Sequence, residues 1–222
     1  MKFPIVKEGW PFIIGTPLIL LGVALVSFFM SWAVATFAFV ILSVIALAFM
    51  VYFFRDPERE SNQEPGVVLS GADGKVRSIE RLESHPSMDG PVTRISVYLS
   101  PMDVHVNRCP IGGNVSKTEY IPGKHLLTAS NKSSEWNEHS SILIEQDGLQ
   151  CVVHQIVGPL VRRVIYWLSE GQSISRGERL GLMKFGSRMD VYLPADQVHV
   201  LVKDGDRVQA GLSPIARIQP KD

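Results

Sequence analysis

Residues 182 to 194 read LMKFGSRMDVYLP, and the pair Gly186-Ser187 is the part that could do chemistry. A serine hydroxyl stands one peptide bond from a glycine carbonyl. Three readings compete. In the first the pair is a turn or bulge with an exposed serine, since both residues favour turns. In the second Ser187 is a hydrolase nucleophile, which needs a G-x-S-x-G elbow between strand and helix. Here the sequence is F-G-S-R-M and leads into a β-prone run, so that reading fails. In the third the Ser187 oxygen attacks the Gly186 carbonyl and turns the amide into an ester. Glycine before the serine leaves the attack unblocked and tolerates strain. A base then removes the Ser187 Cα proton, and the ester oxygen leaves with the preceding chain. The dehydroalanine left behind hydrolyses to a ketone, a pyruvoyl group, and ammonia. The stretch by itself leaves the turn and the self-cleavage both open.

Other reactive residues narrow the field. The histidines lie at 85, 105, 125, 139, 154 and 199, without ligand-like spacing, and Cys109 and Cys151 do not form a pair motif. No metal site is expected. No glycine-rich phosphate loop precedes a lysine and a serine or threonine. Lys and Arg number 22, as do Asp and Glu, so the formal net charge of zero argues against a nucleic-acid partner. Two cysteines cannot build a disulfide framework and are compatible with a reducing compartment.

The elements that must carry these residues fall into two kinds. Residues 11 to 54 contain no Asp, Glu, Lys, Arg or His. A bilayer crossing takes about 20 apolar residues, so this run has room for two helices reversing at Ser31-Trp32. Lys2 and Lys7 precede the run and Arg55 and Arg59 follow it. Basic flanks on both sides place both ends, and everything after residue 55, in the cytoplasm. A shallow hairpin entering one leaflet gives the same sidedness. Residues 55–66, RDPERESNQEPG, read as a linker. Beyond them come short Val- and Ile-rich runs broken by Gly, Pro, Asn and Asp: GVVLS, TRISVYLS, SILIEQDG, CVVHQIVG and MDVYLP. These predict strands, so the domain at 67–222 is expected to be mainly β (α+β), with one or two short helices. A repeat supports this. GQSISRG at 171–177 and GDRVQAG at 205–211 share a G-x-x-[VI]-x-x-G pattern. Such turns recur in lipoyl- and biotinyl-type modules, and two copies predict a barrel-like β-sandwich of two related halves.

Taken together, five blocks resemble the phosphatidylserine decarboxylases in their short bacterial and archaeal form. They are LSGADGKV (69–76), SPMDVHVNRCP (100–110), TASNKSSEWNEHS (128–140), HQIVGPLVRRV (154–164) and SRGERLGLMKFGS (175–187). The resemblance spans about residues 50 to 215 and includes the apolar N-terminus. It implies self-cleavage at Gly186-Ser187 into chains 1–186 and 187–222 that stay together as a heterodimer. It implies a covalent pyruvoyl cofactor made from Ser187, with no metal. The substrate amine would form a Schiff base with that ketone, carbon dioxide would leave, and phosphatidylethanolamine would be released. A phospholipid membrane partner and a homodimer are further expectations.

The resemblance assigns Asp73 and a histidine of the SPMDVH block to self-processing. His105 is that block's histidine. The longer relatives carry a second histidine three positions on, where this chain has Arg108. His105 is therefore expected to serve catalysis and processing, with His125 and His154 as substitutes. Asp103, two residues before it, would face the same side of a strand and orient it. Arg162 and Arg163 are candidates for the lipid phosphate, because a guanidinium offers a charged fork, and Asp103 and His154 complete the residues expected to bind substrate. Asn137 and Glu138 match an Asn-Glu pair of the family, followed here by His139 rather than arginine. Two rivals remain. A membrane-tethered biotinyl- or lipoyl-type carrier would use Lys184 on a hairpin. A decarboxylase of an ether-linked serine phospholipid would run the same head-group chemistry.

Overall fold

The computed structural model describes residues 4–126, 128, 133–158, 164–184 and 187–219. It divides into two compact units, Met1–Glu58 and Arg59–Asp222.

The first unit is a helical hairpin. A short 3-10 turn at Lys7–Gly9 leads into α1 (Trp10–Phe29), and α2 (Ala33–Phe53) runs back. The reversal falls at Ser31, whose φ of 59° is the left-handed conformation a tight turn needs. With few side chains able to bond across, Ser43 supplies one link, donating to the Pro17 carbonyl at 3.1 Å. Phe29, Val34 and Phe37 are 71%, 86% and 70% exposed, an arrangement that water would penalise. Both helices are long and apolar enough to cross a membrane, with mean hydropathy of 2.4 and 2.7.

The second unit is built of strands. In chain order they are β1 (Val67–Leu69), β2 (Gly74–Leu82), β3 (Val92–Tyr98), β4 (Val106–Arg108) and β5 (Gly113–Ile121). After a single turn of helix, α3 (Ser133–Trp136), come β6 (His139–Gln146), β7 (Leu149–Ile156), β8 (Ile165–Tyr166), β9 (Ser173–Ile174) and β10 (Arg179–Leu182). The last are β11 (Arg188–Pro194), β12 (Val198–Val200), β13 (Arg207–Val208) and β14 (Pro214–Ile218). An 8-stranded sheet has the order β13-β2-β3-β11-β7-β6-β5-β9, and two 3-stranded sheets are β1-β14-β12 and β4-β10-β8. The core lies between these sheets, where Ile95, Val97, Met189, Val191, Cys151 and Val153 alternate inward from the central strands.

The orders show two related halves. β1, β2, β3 and β11–β14 form one, and β4–β10 form the other. The ladder β2–β3 breaks register between Val76 and Ser78, and β5–β6 breaks between Val115 and Lys117. β14 and β10 each carry an extra residue in their pairing with β1 and β4. Gly74 and Gly113 open β2 and β5 at φ of 150° and 124°. A Cβ on either would run into a carbonyl, of Tyr98 or of Glu145. The repeated loops close the design: β9 and β13, with Ile174 and Val208 buried, edge the large sheet at opposite ends. Gly177 and Gly211 meet each other, and Arg108 spans them, donating to the Gly177 carbonyl at 2.9 Å.

One connection differs between the halves, and it creates the site. β6 turns into β7 through Asp147 and Gly148, with φ of 50° and 81°, as a tight hairpin does. β3 and β11 pair in the same manner, Tyr98 against Arg188 as Glu145 against Gln150. Yet the chain leaves after β3 and returns at Ser187, with the second half inserted in between. Ser187 thus occupies the position that Leu149 holds just after the intact turn.

Candidate active site

Ser187 is fully buried at the head of a central strand. Its carbonyl accepts the Leu99 N–H at 3.1 Å, continuing the β3 ladder one residue beyond Tyr98. Its hydroxyl donates to the Lys184 carbonyl at 2.7 Å. A peptide carbonyl is too weak a base to take the proton, so the bond parks the hydroxyl without activating it. Leu99, Met183 and Met189, close along the chain and ladder, are all buried, so the environment is dry.

His105 is fully buried, and its carbonyl accepts the Met183 N–H at 3.1 Å. The approach to β4 therefore runs alongside Met183. Its Nδ1 lies 2.9 Å from the Asp103 carbonyl. A carbonyl only accepts, so Nδ1 carries the proton and Nε2 is the basic nitrogen of the neutral ring. This corrects the expected part of Asp103. Residues 101–105 form a turn rather than a strand, and β4 starts at Val106. The Asp103 carboxylate is used elsewhere, accepting the Ser100 N–H at 2.8 Å and facing Arg207 at 3.1 Å.

Asp73 precedes β2, where its carboxylate receives the Arg59 guanidinium at 2.5 and 2.9 Å and the Ala210 N–H at 2.8 Å. It therefore ties the linker and the Gly205–Gly211 loop to the start of β2. In the other half Gly112 stands one residue before β5, and a Cβ there would meet the backbone of Arg176. The linker is accordingly docked. Arg176 adds bonds to the carbonyls of Gln63, Glu64 and Val67.

His154 belongs to the outer face of the large sheet. Its ring packs 4.6 Å from His139, 5.2 Å from His85 and 4.8 Å from Tyr192, centroid to centroid. These rings line a cavity of about 440 Å³ with Arg94, Ser134 and Ser141. Burial, then the neighbouring His139 and His85, hold the His154 pKa well below the ordinary value. Burial followed by His139 lowers that of His85. His125 faces Glu138 at 3.1 Å. Asn137 clamps chain segments, bonding both backbone groups of Leu126 and the Val157 carbonyl. Lys184 is half-buried, its carbonyl engaged by Ser187. A carrier lysine must stand out at a hairpin tip, so the carrier reading loses its residue. Gly186, Arg162 and Arg163 lie outside the described residues. Among the described residues no group of three His, Cys, Asp or Glu side chains is placed to hold a metal ion.

Sequence reasoning passed over Arg188 and Asp190. Both are fully buried and ion-paired at 3.0 Å, with the Ser134 hydroxyl between them. The signal was present in SRMDVYLP, where Arg188, Asp190 and Tyr192 alternate onto one face.

Comparison with known proteins accounts for this assembly. The family model described as phosphatidylserine decarboxylase matches residues 46–216. A protein named phosphatidylserine decarboxylase proenzyme from Symbiobacterium thermophilum is 40% identical over 98% of this chain and 98% of its own length. One of the same name from Magnetococcus marinus is 38% identical over 98% and 97%. Another from Carboxydothermus hydrogenoformans is 35% identical over 99% and 100%. A match that runs through the linker, both halves and the Ser187 strand makes this chain a member of the phosphatidylserine decarboxylase family.

Proposed function

We propose that this protein decarboxylates phosphatidylserine to phosphatidylethanolamine, using a pyruvoyl group that it makes by cutting itself at Gly186-Ser187. The observation that carries the reading is the setting of Ser187: buried, central in the sheet, and placed where a hairpin turn has been opened. The name proenzyme borne by its relatives supports a processed form.

The residues present fit a ketone at position 187. The site is dry, and the Leu99 N–H fixes the residue through its carbonyl. Once formed, the pyruvoyl carbonyl supplies an electron sink that captures the substrate amine and weakens the bond to the departing carboxylate. The chain's own residues do the rest. For cleavage the Ser187 hydroxyl leaves the Lys184 carbonyl, and His105 Nε2 takes its proton as oxygen attacks Gly186. That proton passes to the amide nitrogen of residue 187 as the peptide bond breaks. A base then takes the Ser187 Cα proton as the ester oxygen departs. In turnover His105 returns a proton to the carbon that has lost carbon dioxide. Asp73 serves processing through position, by holding the loop and linker that close this end of the barrel. Arg162 or Arg163 meets the lipid phosphate, and Asp103 and His154 act by holding their neighbours. The apolar hairpin at 1–54 attaches the protein to the cell membrane, with the catalytic domain at 67–222 on the cytoplasmic side. An ether-linked serine phospholipid presents the same head group and would be processed by the same steps.

The test is mass spectrometry of the purified full chain. A fragment starting at residue 187 and blocked by a ketone is expected, and Ser187→Ala should remain intact and inactive. An uncleaved wild-type chain that still decarboxylates would overturn the proposal.

A further inference from the structure

Cleavage at residue 187 converts the middle of a chain into an N-terminus, and strand ends beside a terminus fray. A frayed end would carry the reactive ketone away from His105. The residue that follows is unusual for such a place. Arg188 is the largest fully buried side chain among the described residues. Its guanidinium donates to the Asp190 carboxylate from Nη2 at 3.0 Å, and Nε stands 3.0 Å from the second carboxylate oxygen as an ion pair. It also donates to the Thr128 carbonyl at 3.2 Å and to the Ser134 hydroxyl, and that hydroxyl in turn donates to Asp190 at 2.6 Å. Burying a charged pair is costly unless its geometry is good and its remaining bonds are made. At the first residue of a strand an apolar side chain would fill space more cheaply.

The partners are divided by the cut. Asp190 lies on the new chain with Arg188, while Thr128 and Ser134 lie on the other piece. Backbone pairing divides in the same way, with Arg188 between Tyr98 of β3 and Ile156 of β7. The network therefore survives cleavage intact and binds the new end to the old chain.

We infer that Arg188, with Asp190 and Ser134, is a positioning clamp that keeps the pyruvoyl end seated after cleavage. This rests on the proposed self-cleavage at residue 187. The clamp is dispensable for the cut itself, because the uncut chain holds Ser187 from both sides. It becomes necessary for turnover, because afterwards residue 187 is tethered from one side only.

The experiment uses the full chain in detergent. Hydrogen exchange at amides 188–190 is compared between the processed wild type and the uncleaved Ser187→Ala protein. A seated end exchanges within about ten-fold of the precursor, whereas a free end exchanges about a hundred-fold faster or more. Arg188→Gln should cleave to completion yet lose about ten-fold or more in kcat with KM little changed, as expected when fewer molecules hold the ketone in place. Its ketone should react faster with hydroxylamine, read as oxime on the 187–222 fragment. Arg188→Lys keeps the charge, loses the fork, and should fall between. Arg188→Gln with wild-type turnover, or a wild-type end that exchanges freely, overturns the clamp. If Arg188→Gln fails to fold, the exchange comparison on wild type decides alone. A wild-type chain that never cleaves instead defeats the underlying self-cleavage reading.

Discussion

At the scale of the residue, the central question is which base moves the Ser187 protons. The hydrogen bond from His105 Nδ1 to the Asp103 carbonyl fixes the tautomer with a basic Nε2, as a proton acceptor requires. His105→Ala should therefore leave most of the chain uncleaved on a gel, and any cleaved fraction should not release carbon dioxide. Full cleavage with normal turnover would remove His105 from both steps. His154 offers a different measurement. Its pKa is lowered in the folded protein, so the unfolded chain binds the proton first as pH falls. Stability from this residue is complete above about pH 6.5 and drains away below it, by at most about 1.4 kcal/mol per pH unit for one proton. His154→Gln should flatten the fall in Tm between pH 6.5 and lower values, measured by calorimetry. His85 adds to the same slope, since its shift has the same sign.

At the scale of the element, the two halves test each other. The β6–β7 hairpin shows what the β3–β11 connection would be if it closed directly, with a two-residue turn followed at once by a strand. Opening that turn to admit the second half places Ser187 at a chain entry in mid-sheet. That position gives buried surroundings, a bond to Leu99 on the β3 side, and a strand on either side of the next residue, Arg188. The matching glycines Gly74 and Gly113 are a local check. A Cβ at Gly74 would overlap the Tyr98 carbonyl, one residue from the Leu99 N–H that holds Ser187. Gly74→Ala should cost about 2–3 kcal/mol of stability, as strain and steric overlap at a special backbone position do. It should also slow cleavage, because the ladder at Leu99 shifts. Gly113→Ala should cost as much while leaving cleavage nearly intact, since its partner Glu145 lies in the half without the cut. Chemical denaturation and a cleavage time course separate the two. The Arg108 side chain bridges the two glycine loops, so it contributes to the assembly of the halves.

At the scale of the whole molecule, a unit of two long apolar helices is followed by one built of strands. The hairpin exposes large apolar side chains on both helices, and its only charges lie at its ends. Attachment by apolar insertion, unlike attachment by charge, resists salt. The full chain should therefore remain with phosphatidylcholine liposomes in flotation at about 1 M salt, where the Debye length falls to about 3 Å. Release into the soluble fraction would show that the helices do not insert. After cleavage the 1–186 and 187–222 pieces should stay together without a covalent link, because β11 sits between β3 and β7, and β13 and β14 pair with β2 and β1.

Much of this was legible in the chain as written. The uncharged run at 11–54 specifies its helices because only internally bonded backbone is tolerated in such apolar surroundings. The strand runs and the two glycine loops follow from local steric rules. The blocks around Gly186-Ser187 pointed to the family that the comparisons show. What local rules leave undetermined are contacts between residues far apart in sequence. Asp103 looked like the orienting carboxylate because a strand was expected there, whereas a turn presents its carbonyl to His105 instead. Asp73 meets Arg59 and Ala210 only once linker and loop are brought to the same end of the barrel. Arg188 stands out only once burial and its partners Thr128, Ser134 and Asp190 are in place. The sequence by itself determined which elements form and singled out Gly186-Ser187 as the bond we propose breaks. Tertiary structure decided which polar groups surround that bond, because their partners are brought together only by folding.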